Sequence, residues 1–240
     1  MPFLKRALPS LRKRIAKLMW PGGRGVTKWE GVLYLLNLND WHGKAITQWG
    51  PPESEQRHYF LEKIREHKSD VFIDIGANAG VYTAFIALKA GIGHVIAFEP
   101  DRRNYDRLRA HLFLNGLADT VETRLEAVSD RNGTVAFRHM HDQEFFSRVD
   151  AAGDQSVPAV RLDDALPLKN RRIAIKIDIE GHELAALEGM KALLQSNDCL
   201  MQVECWKESA PSFIATMTNL GYKLIHRLGD EHYFARSAAP

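Results

Sequence analysis

Cysteine is nearly missing: Cys199 and Cys205, with five residues between them, are the only two among 240. Neither has Cys or His partners at zinc-ligand spacing, so a disulfide scaffold and a zinc ribbon are both excluded and the pair reads as reduced thiols in or near a core. No run of about 18 apolar residues occurs. The start, Met1 to Arg14, alternates charge with short apolar pieces where a signal peptide would build an uninterrupted apolar stretch. A soluble, cytoplasmic chain is the resulting expectation. Internal repeats and low-complexity tracts are absent too, which removes solenoids and propellers.

Acid is missing from residues 1–28, which hold Lys5, Arg6, Arg12, Lys13, Arg14, Lys17, Arg24 and Lys28. The formal net charge of +2 hides this asymmetry, because the rest of the chain carries 24 basic against 30 acidic residues. A net negative body is no nucleic-acid-binding module. The division expected is therefore a basic N-terminal arm, 1–28, and one domain, 29–240. Leu4, Leu8, Leu11, Ile15 and Leu18 recur at three- and four-residue spacing among the cations, the pattern of a short amphipathic helix interrupted by Pro9. Residues 1–20 can thus rest on an anionic membrane or a partner, or form a solvated arm or one that packs loosely on its own domain.

What is there is an ordinary globular composition, 45% hydrophobic and 26% charged, arranged as a punctuated α/β alternation. Residues 31–39 read as a strand ending in an Asn-Asp turn, and 54–68 as a helix. VFIDI (71–75), a glycine-rich turn and a helix over 81–90 follow, then strand 94–98, helix 102–115 and strand 121–128. TVAFR (134–138) and VPAVR (157–161) read as short strands around a loop. RIAIKIDI (172–179) leads into a helix over 183–194, then strand 199–205, a helix near 212–220, and a terminal hairpin of YKLIHR and EHYFAR. Such alternation predicts an α/β doubly wound sheet of seven mostly parallel strands, with one antiparallel strand at the C-terminal hairpin.

In such a sheet, ligands bind beyond the carboxyl ends of the strands, which directs attention to Asp74-Ile75-Gly76-Ala77-Asn78-Ala79-Gly80. Gly76 and Gly80 admit positive φ and let backbone approach a ligand. Asn78 stands where a dinucleotide loop has its middle glycine, and no Lys-Ser/Thr follows as in a P-loop. Asp74 adds negative charge, which suits a cationic ligand better than a phosphate. Glu99 closes the next strand about twenty residues on, the place from which a carboxylate accepts both ribose hydroxyls of a nucleoside.

DIGANAGVYT, AFEP and KIDIEGHELAALEG, in this order, resemble the FkbM-type family of S-adenosylmethionine-dependent methyltransferases over about residues 30–206. The resemblance implies a class I methyltransferase, Rossmann-like fold with S-adenosyl-L-methionine as cofactor. It implies that Asp74, Gly76, Asn78 and Gly80, with Ala77, line its methionine part. Glu99, with Pro100, would then bind the ribose, and Glu126 and Ala127 would lie beside the adenine.

The second chemical signal is Lys176-Ile177-Asp178-Ile179-Glu180-Gly181-His182-Glu183. Residues two apart in a strand share a side, so Lys176, Asp178 and Glu180 face one way. Charges on a central strand are costly unless paired or useful. Lys176 can pair with Asp178, Glu180 and Glu183 can complement a helix dipole, and Asp178, Glu180 or His182 can take or orient a hydroxyl proton. A divalent metal (Mg²⁺) held by Asp178 and a second acid is a further, weaker reading. Glu204 faces the same sheet edge, Trp41, Trp49 and Trp206 are candidates for an acceptor pocket, and Arg161-Leu162-Asp163-Asp164 reads as a turn or helix cap.

The reading is a methyltransferase that methylates a hydroxyl of a sugar, glycan or secondary-metabolite acceptor, with Asp178 and Glu180 on the acceptor side and Lys176 as electrostatic support. The alternatives are a NAD(P)-dependent oxidoreductase, which the missing G-x-G-x-x-G disfavours, and a methyltransferase-like binding module without turnover.

Overall fold

The structure, a computed structural model, describes residues 2–139 and 147–236. Helix α1 (Pro2–Met19) precedes a hairpin of β1 (Arg24–Trp29) and β2 (Val32–Asn37), then helices α2 (Trp41–Trp49) and α3 (Ser54–His67). The first βα series is β3 (Val71–Ile75), α4 (Val81–Lys89), β4 (His94–Phe98), α5 (Arg102–Leu114) and β5 (Val121–Arg124). After it come β6 (Ala127–Val128), β7 (Gly133–His139), β8 (Ser147–Val149), β9 (Gln155–Val160) and the short α6 (Leu162–Ala165). The second series is β10 (Arg172–Ile177), α7 (Glu183–Glu188), α8 (Lys191–Ser196), β11 (Asp198–Glu204), α9 (Ala210–Asn219), β12 (Tyr222–Leu228) and β13 (Glu231–Arg236).

Seven strands form the central sheet in the order β12-β13-β11-β10-β3-β4-β5. β3, β4, β5, β10 and β11 are parallel, and β13 runs antiparallel to both of its neighbours. That is the expected doubly wound sheet with its antiparallel strand at the terminal hairpin. The pleat explains why these strands read as continuous apolar runs, since both faces are covered. Val71, Ile73, Ile75, Ile173, Ile175 and Ile177 pack on one face against Leu187, Leu194, Phe213 and Met217 of α7–α9. Phe72, Ala97, Ala174 and Leu200 pack on the other against Phe60, Ile64, Phe85, Leu108 and Leu112 of α3–α5.

The structure corrects several sequence expectations. The strand read over 121–128 is two: β5 stays in the central sheet, while β6 joins a separate four-stranded sheet of order β6-β9-β7-β8. The helix read over 183–194 breaks at Gly189, whose backbone is pressed so close to Ser129 that an added Cβ would meet the Ser129 carbonyl oxygen at 1.9 Å. Asp40, read as part of a turn, caps α2 by accepting from the Gly43 N–H at 2.7 Å. Residues 24–28, assigned to the arm by charge, form most of β1 and pair with β2. Pro9 does not end α1, which runs through it.

Candidate active site

β4 and β5 extend the sheet on one side of β3, and β10 and β11 on the other. Strand order therefore reverses between β3 and β10, and a crevice opens outside their carboxyl ends. A cavity of ≈ 260 Å³ lies there, lined among others by Gly76, Asn78, Glu99, Glu126, Asp178 and Glu180. Pro100, Ala127, His182 and Glu204 also border it. A pocket of ≈ 60 Å³ shares Gly76, Asn78 and Asp178 with it and reaches Ala77, Arg57 and Lys176. Together they come to the lower end of the ~300–1,000 Å³ range of small-molecule sites.

The turn after β3 is held by the protein's own backbone. Gly76 and Ala77 both donate to the Phe98 carbonyl, at 3.0 and 2.9 Å, and Asp178 N–H donates to the Ile75 carbonyl at 3.0 Å. Gly76 has φ +84°, and a Cβ there would sit 2.0 Å from the Asp178 carbonyl oxygen. The sequence reading gave both glycines the task of admitting a ligand. Gly76 does border the cavities, but its missing Cβ makes room for the acidic turn. Gly80 borders neither, and its missing Cβ makes room for Leu108 on α5, 2.5 Å away.

Asp74 is fully buried and borders neither cavity. One of its oxygens accepts from Thr83 Oγ1 at 2.6 Å, the other has no partner, and the residue lies opposite Lys176 in the β3–β10 register. Burial holds its carboxyl above the ordinary carboxylate range, against the pull of Lys176 and Thr83. Asp74, read from the sequence as a partner of a cationic ligand through water or the ligand's amino group, lies beneath the turn.

Glu99 borders the cavity with its carboxylate clamped between two loops. Oε2 accepts from the Asn78 N–H and Oε1 from the Asp101 N–H, both at 2.8 Å. Burial pushes its pKa up to about 8, with the two backbone donors opposing. A carboxylate oxygen has two lone pairs, so each can still accept a hydroxyl from a diol.

Below the acidic turn, Lys176 is 3% exposed and donates to Asp178 Oδ2 at 2.8 Å. Its ammonium also lies 5.0 Å from the centre of the Tyr82 ring. Burial opposes its charge, but Asp178, Glu53, Asp74 and Glu231 together hold its pKa well above the usual value. Burial also acts against ionisation of Asp178, yet Lys176 and a hydrogen bond with Glu204 keep it below the ordinary range. Glu204 is pushed up to about 9 by burial and by Asp178, so Glu204 carries the proton of that pair. Strand geometry stops here: Glu180 takes φ +55° and Gly181 φ +102°. Glu180 sits at about 7, raised by burial and then by Asp178 and Glu183.

His182 Nε2 lies 3.0 Å from Ser129 Oγ, and burial lowers its pKa. Glu183 turns back to accept from the Gly181 N–H at 2.8 Å. Trp206 lies against Gly181, its ring 3.2 Å from where a Cβ would be, and borders neither cavity. Trp49, proposed for an acceptor pocket, is exposed at the end of α2 and borders neither cavity. The side chain of Trp41 lies outside those described. Asp163, read from the sequence as part of a turn or helix cap, lies within α6 and accepts from the Leu193 N–H of α8 at 2.9 Å.

Three participants were missed. Glu53 lies beyond the expected site segments, yet at φ +56° it borders both cavities, and burial raises its pKa. Arg148 on β8 borders the larger cavity, its guanidinium 5.8 Å from the Trp206 ring. Asp101 caps α5 and accepts from Ser147 Oγ at 2.8 Å, which ties β8 to the end of β4. Only the Asp-x-x start of a helix hinted at Asp101; Glu53 and Arg148 carry no local signal. Among the described residues no group of three or more His, Cys, Asp or Glu side chains is placed to hold a metal ion.

A family model described as the methyltransferase FkbM domain matches residues 74–224. The hexuronic acid methyltransferase AglP of Haloferax volcanii is 29% identical over 150 residues, covering 60% of this chain and 59% of that protein. A crystal structure of methyltransferase FkbM from Methylobacillus flagellatus matches with TM-score 0.51 and 22% identity, over 69% of this chain and 43% of that one. A methyltransferase from Geobacter sulfurreducens gives TM-score 0.51 and 15% identity, over 77% and 80%. The two structural likenesses are of fold, and the chain spans about half the length of the first two relatives.

Proposed function

This chain belongs to the FkbM methyltransferase family, and on that premise we propose that it transfers a methyl group from S-adenosyl-L-methionine to a hydroxyl of a sugar acceptor, most specifically an acidic sugar. The observation that carries the reading is the convergence, on one cavity at the reversal of strand order, of the Gly76–Asn78 turn, Glu99 and the acidic turn Asp178–Glu180. Glu99 would accept the ribose hydroxyls, Gly76, Ala77 and Asn78 would lie along the aminoacyl chain, and Glu126 and Ala127 would flank the base. When bound, the cofactor supplies a methyl carbon already activated by a cationic sulfur.

The chain's own residues have the remaining work: alignment, exclusion of water and acceptance of one proton. With the cofactor bound, the acceptor oxygen would take the methyl carbon as its bond to sulfur breaks, and the hydroxyl proton would pass to a carboxylate of the chain. Glu180 fits that role because its pKa lies near 7, where a base is half ionised yet still basic. Asp178 is committed to Lys176 and Glu204, and so supports Glu180 by its charge. Arg148, a cation bordering the same cavity and held by Asp150 at 3.3 Å and over the Trp206 ring, suits an acceptor that carries a carboxylate. The name of the Haloferax volcanii relative, a hexuronic acid methyltransferase, supports the same acceptor class.

The test is calorimetric binding of S-adenosylhomocysteine, followed by transfer of labelled methyl to glucuronic acid glycosides with neutral glycosides as control. Absence of binding would remove the cofactor assignment. Binding with transfer to neutral sugars alone would keep the methyltransferase and discard the acidic acceptor.

A further inference from the structure

Helix α1 presents three different sides. Pro9 and Ala16 are buried, Arg12 lies 4.9 Å from the centre of the Trp29 ring, and Trp20 packs against Gly25; this side docks on α2 and the β1–β2 hairpin. A second side, a stripe about 100° wide at helical spacing, carries Leu8, Leu11, Ile15, Leu18 and Met19. These are 46, 53, 45, 82 and 63% exposed. The third side holds Lys13, Arg14 and Lys17, all exposed. Lys13 and Lys17 also line an open cleft with Lys44 and Trp20.

We propose that this face of α1 lies on an anionic lipid bilayer, with the leucine and isoleucine stripe among the upper acyl chains and Lys13, Arg14, Lys17 and Lys44 at the phosphate level. The occupant follows from charge and layering. A bilayer interface offers an apolar layer directly beneath an anionic one, and α1 exposes an apolar stripe directly beside a cationic one. The first acid in the chain is Glu30, so no carboxylate on the helix opposes the lipid phosphates. The helix is already held on the body through Arg12 and Trp29, so docking needs little further ordering. No helix among the described residues is long and apolar enough to cross a membrane, which fits a helix that lies in the surface.

The experiment is co-sedimentation of the full chain with vesicles of phosphatidylglycerol and phosphatidylcholine, and with phosphatidylcholine alone. The expected result is binding to the anionic vesicles at low salt, at least about tenfold tighter than to neutral ones, and release near 0.5 M salt on the order of the Debye screening expected. The double variant Leu11→Glu/Ile15→Glu should lose at least about tenfold in binding, and Lys13→Glu/Lys17→Glu should lose a similar factor on anionic vesicles only. Both pairs point outward, so thermal unfolding and S-adenosylhomocysteine binding should match the parent. No association of the parent with anionic vesicles overturns the proposal, as does unchanged binding by either variant. A parent dimer that becomes monomeric in Leu11→Glu/Ile15→Glu also overturns it, because a second copy would then be the occupant.

Discussion

The buried Lys176 and the half-buried Asp178 form an ion pair, Nζ to Oδ2 at 2.8 Å, at the floor of the cavity where the two halves of the sheet meet. The pair is part of a larger balance. Asp74, Glu53 and Glu231 bear on the same ammonium, so one cation is set among several carboxyls. A buried charge that loses its partner costs more than the pair itself contributes.

Lys176→Met should therefore destabilise the fold by about 3–5 kcal/mol, read from urea unfolding at pH 7.5. The loss should shrink at low pH, where the stranded carboxyls take up protons. A loss under about 1 kcal/mol, the size of an exposed pair, would show that the ammonium is dispensable there.

Turnover should rise with pH through about 7, the value at which Glu180 sits, because a proton acceptor works only when ionised. In Glu180→Gln that inflection should vanish and kcat should drop by about 10²–10⁴-fold, with S-adenosylhomocysteine affinity kept within about threefold. An unchanged pH profile in the variant moves the role to another residue.

Glu99 has its pKa pushed up to about 8 in the folded chain, so at pH 7 it is largely protonated. In the proposed ribose contact, the hydroxyls would donate to the carboxylate and favour the ionised form. S-adenosylhomocysteine should accordingly bind about tenfold tighter at pH 9 than at pH 7. Glu99→Gln must point an NH₂ group at one of two backbone donors. It should bind about 10- to 100-fold more weakly and show no such slope. Titration calorimetry across this range decides, and a flat profile in the parent chain excludes the ribose contact.

His111 ties the glycine turn to the N-terminal hairpin: one ring nitrogen lies 2.5 Å from the Ala79 carbonyl oxygen, the other accepts from the Leu35 N–H at 2.8 Å. The ring is neutral, and burial holds its pKa below the ordinary 6.5. The unfolded chain thus binds a proton that the folded chain refuses, so this contribution is intact above pH 6.5 and is lost as pH falls toward the folded value. His111→Leu should cost about 2–4 kcal/mol at pH 7.5 by leaving both backbone groups unpartnered. Between pH 7 and 5.5 the variant's stability should decline less than the parent's; parallel declines would assign the acid sensitivity elsewhere.

Much of this was legible from residues alone, and the reason is physical. VFIDI, HVIAF and RIAIKI are buried on both faces, which leaves nearly continuous apolar runs, and Glu99 after β4 and Asp178 after β10 mark two of the strand ends. Helix α2 was not legible because WHGKAITQW holds two tryptophans, a glycine and two β-branched residues; its helicity comes from the Asp40 cap and from packing on β2. The split of 121–128 depends on β6 finding β9, with Ala127 paired to Ala159, and no local pattern encodes that partner. Within the site, the motif segments were visible, whereas Glu53 and Arg148 are brought in by a left-handed helix start and an edge strand. The glycines were found but their packing against Asp178 and Leu108 was not: periodicity cannot say whether a missing Cβ faces a ligand or a neighbouring peptide.

The contact between Gly76 and the Asp178 carbonyl makes the two turns one mechanical unit. A shift of either is transmitted as displacement of the other, so under the proposed function cofactor binding and proton acceptance should change together. Paired substitutions across that junction should depart from additivity, and a designer seeking a new acceptor would do better to alter Arg148 than the turn itself.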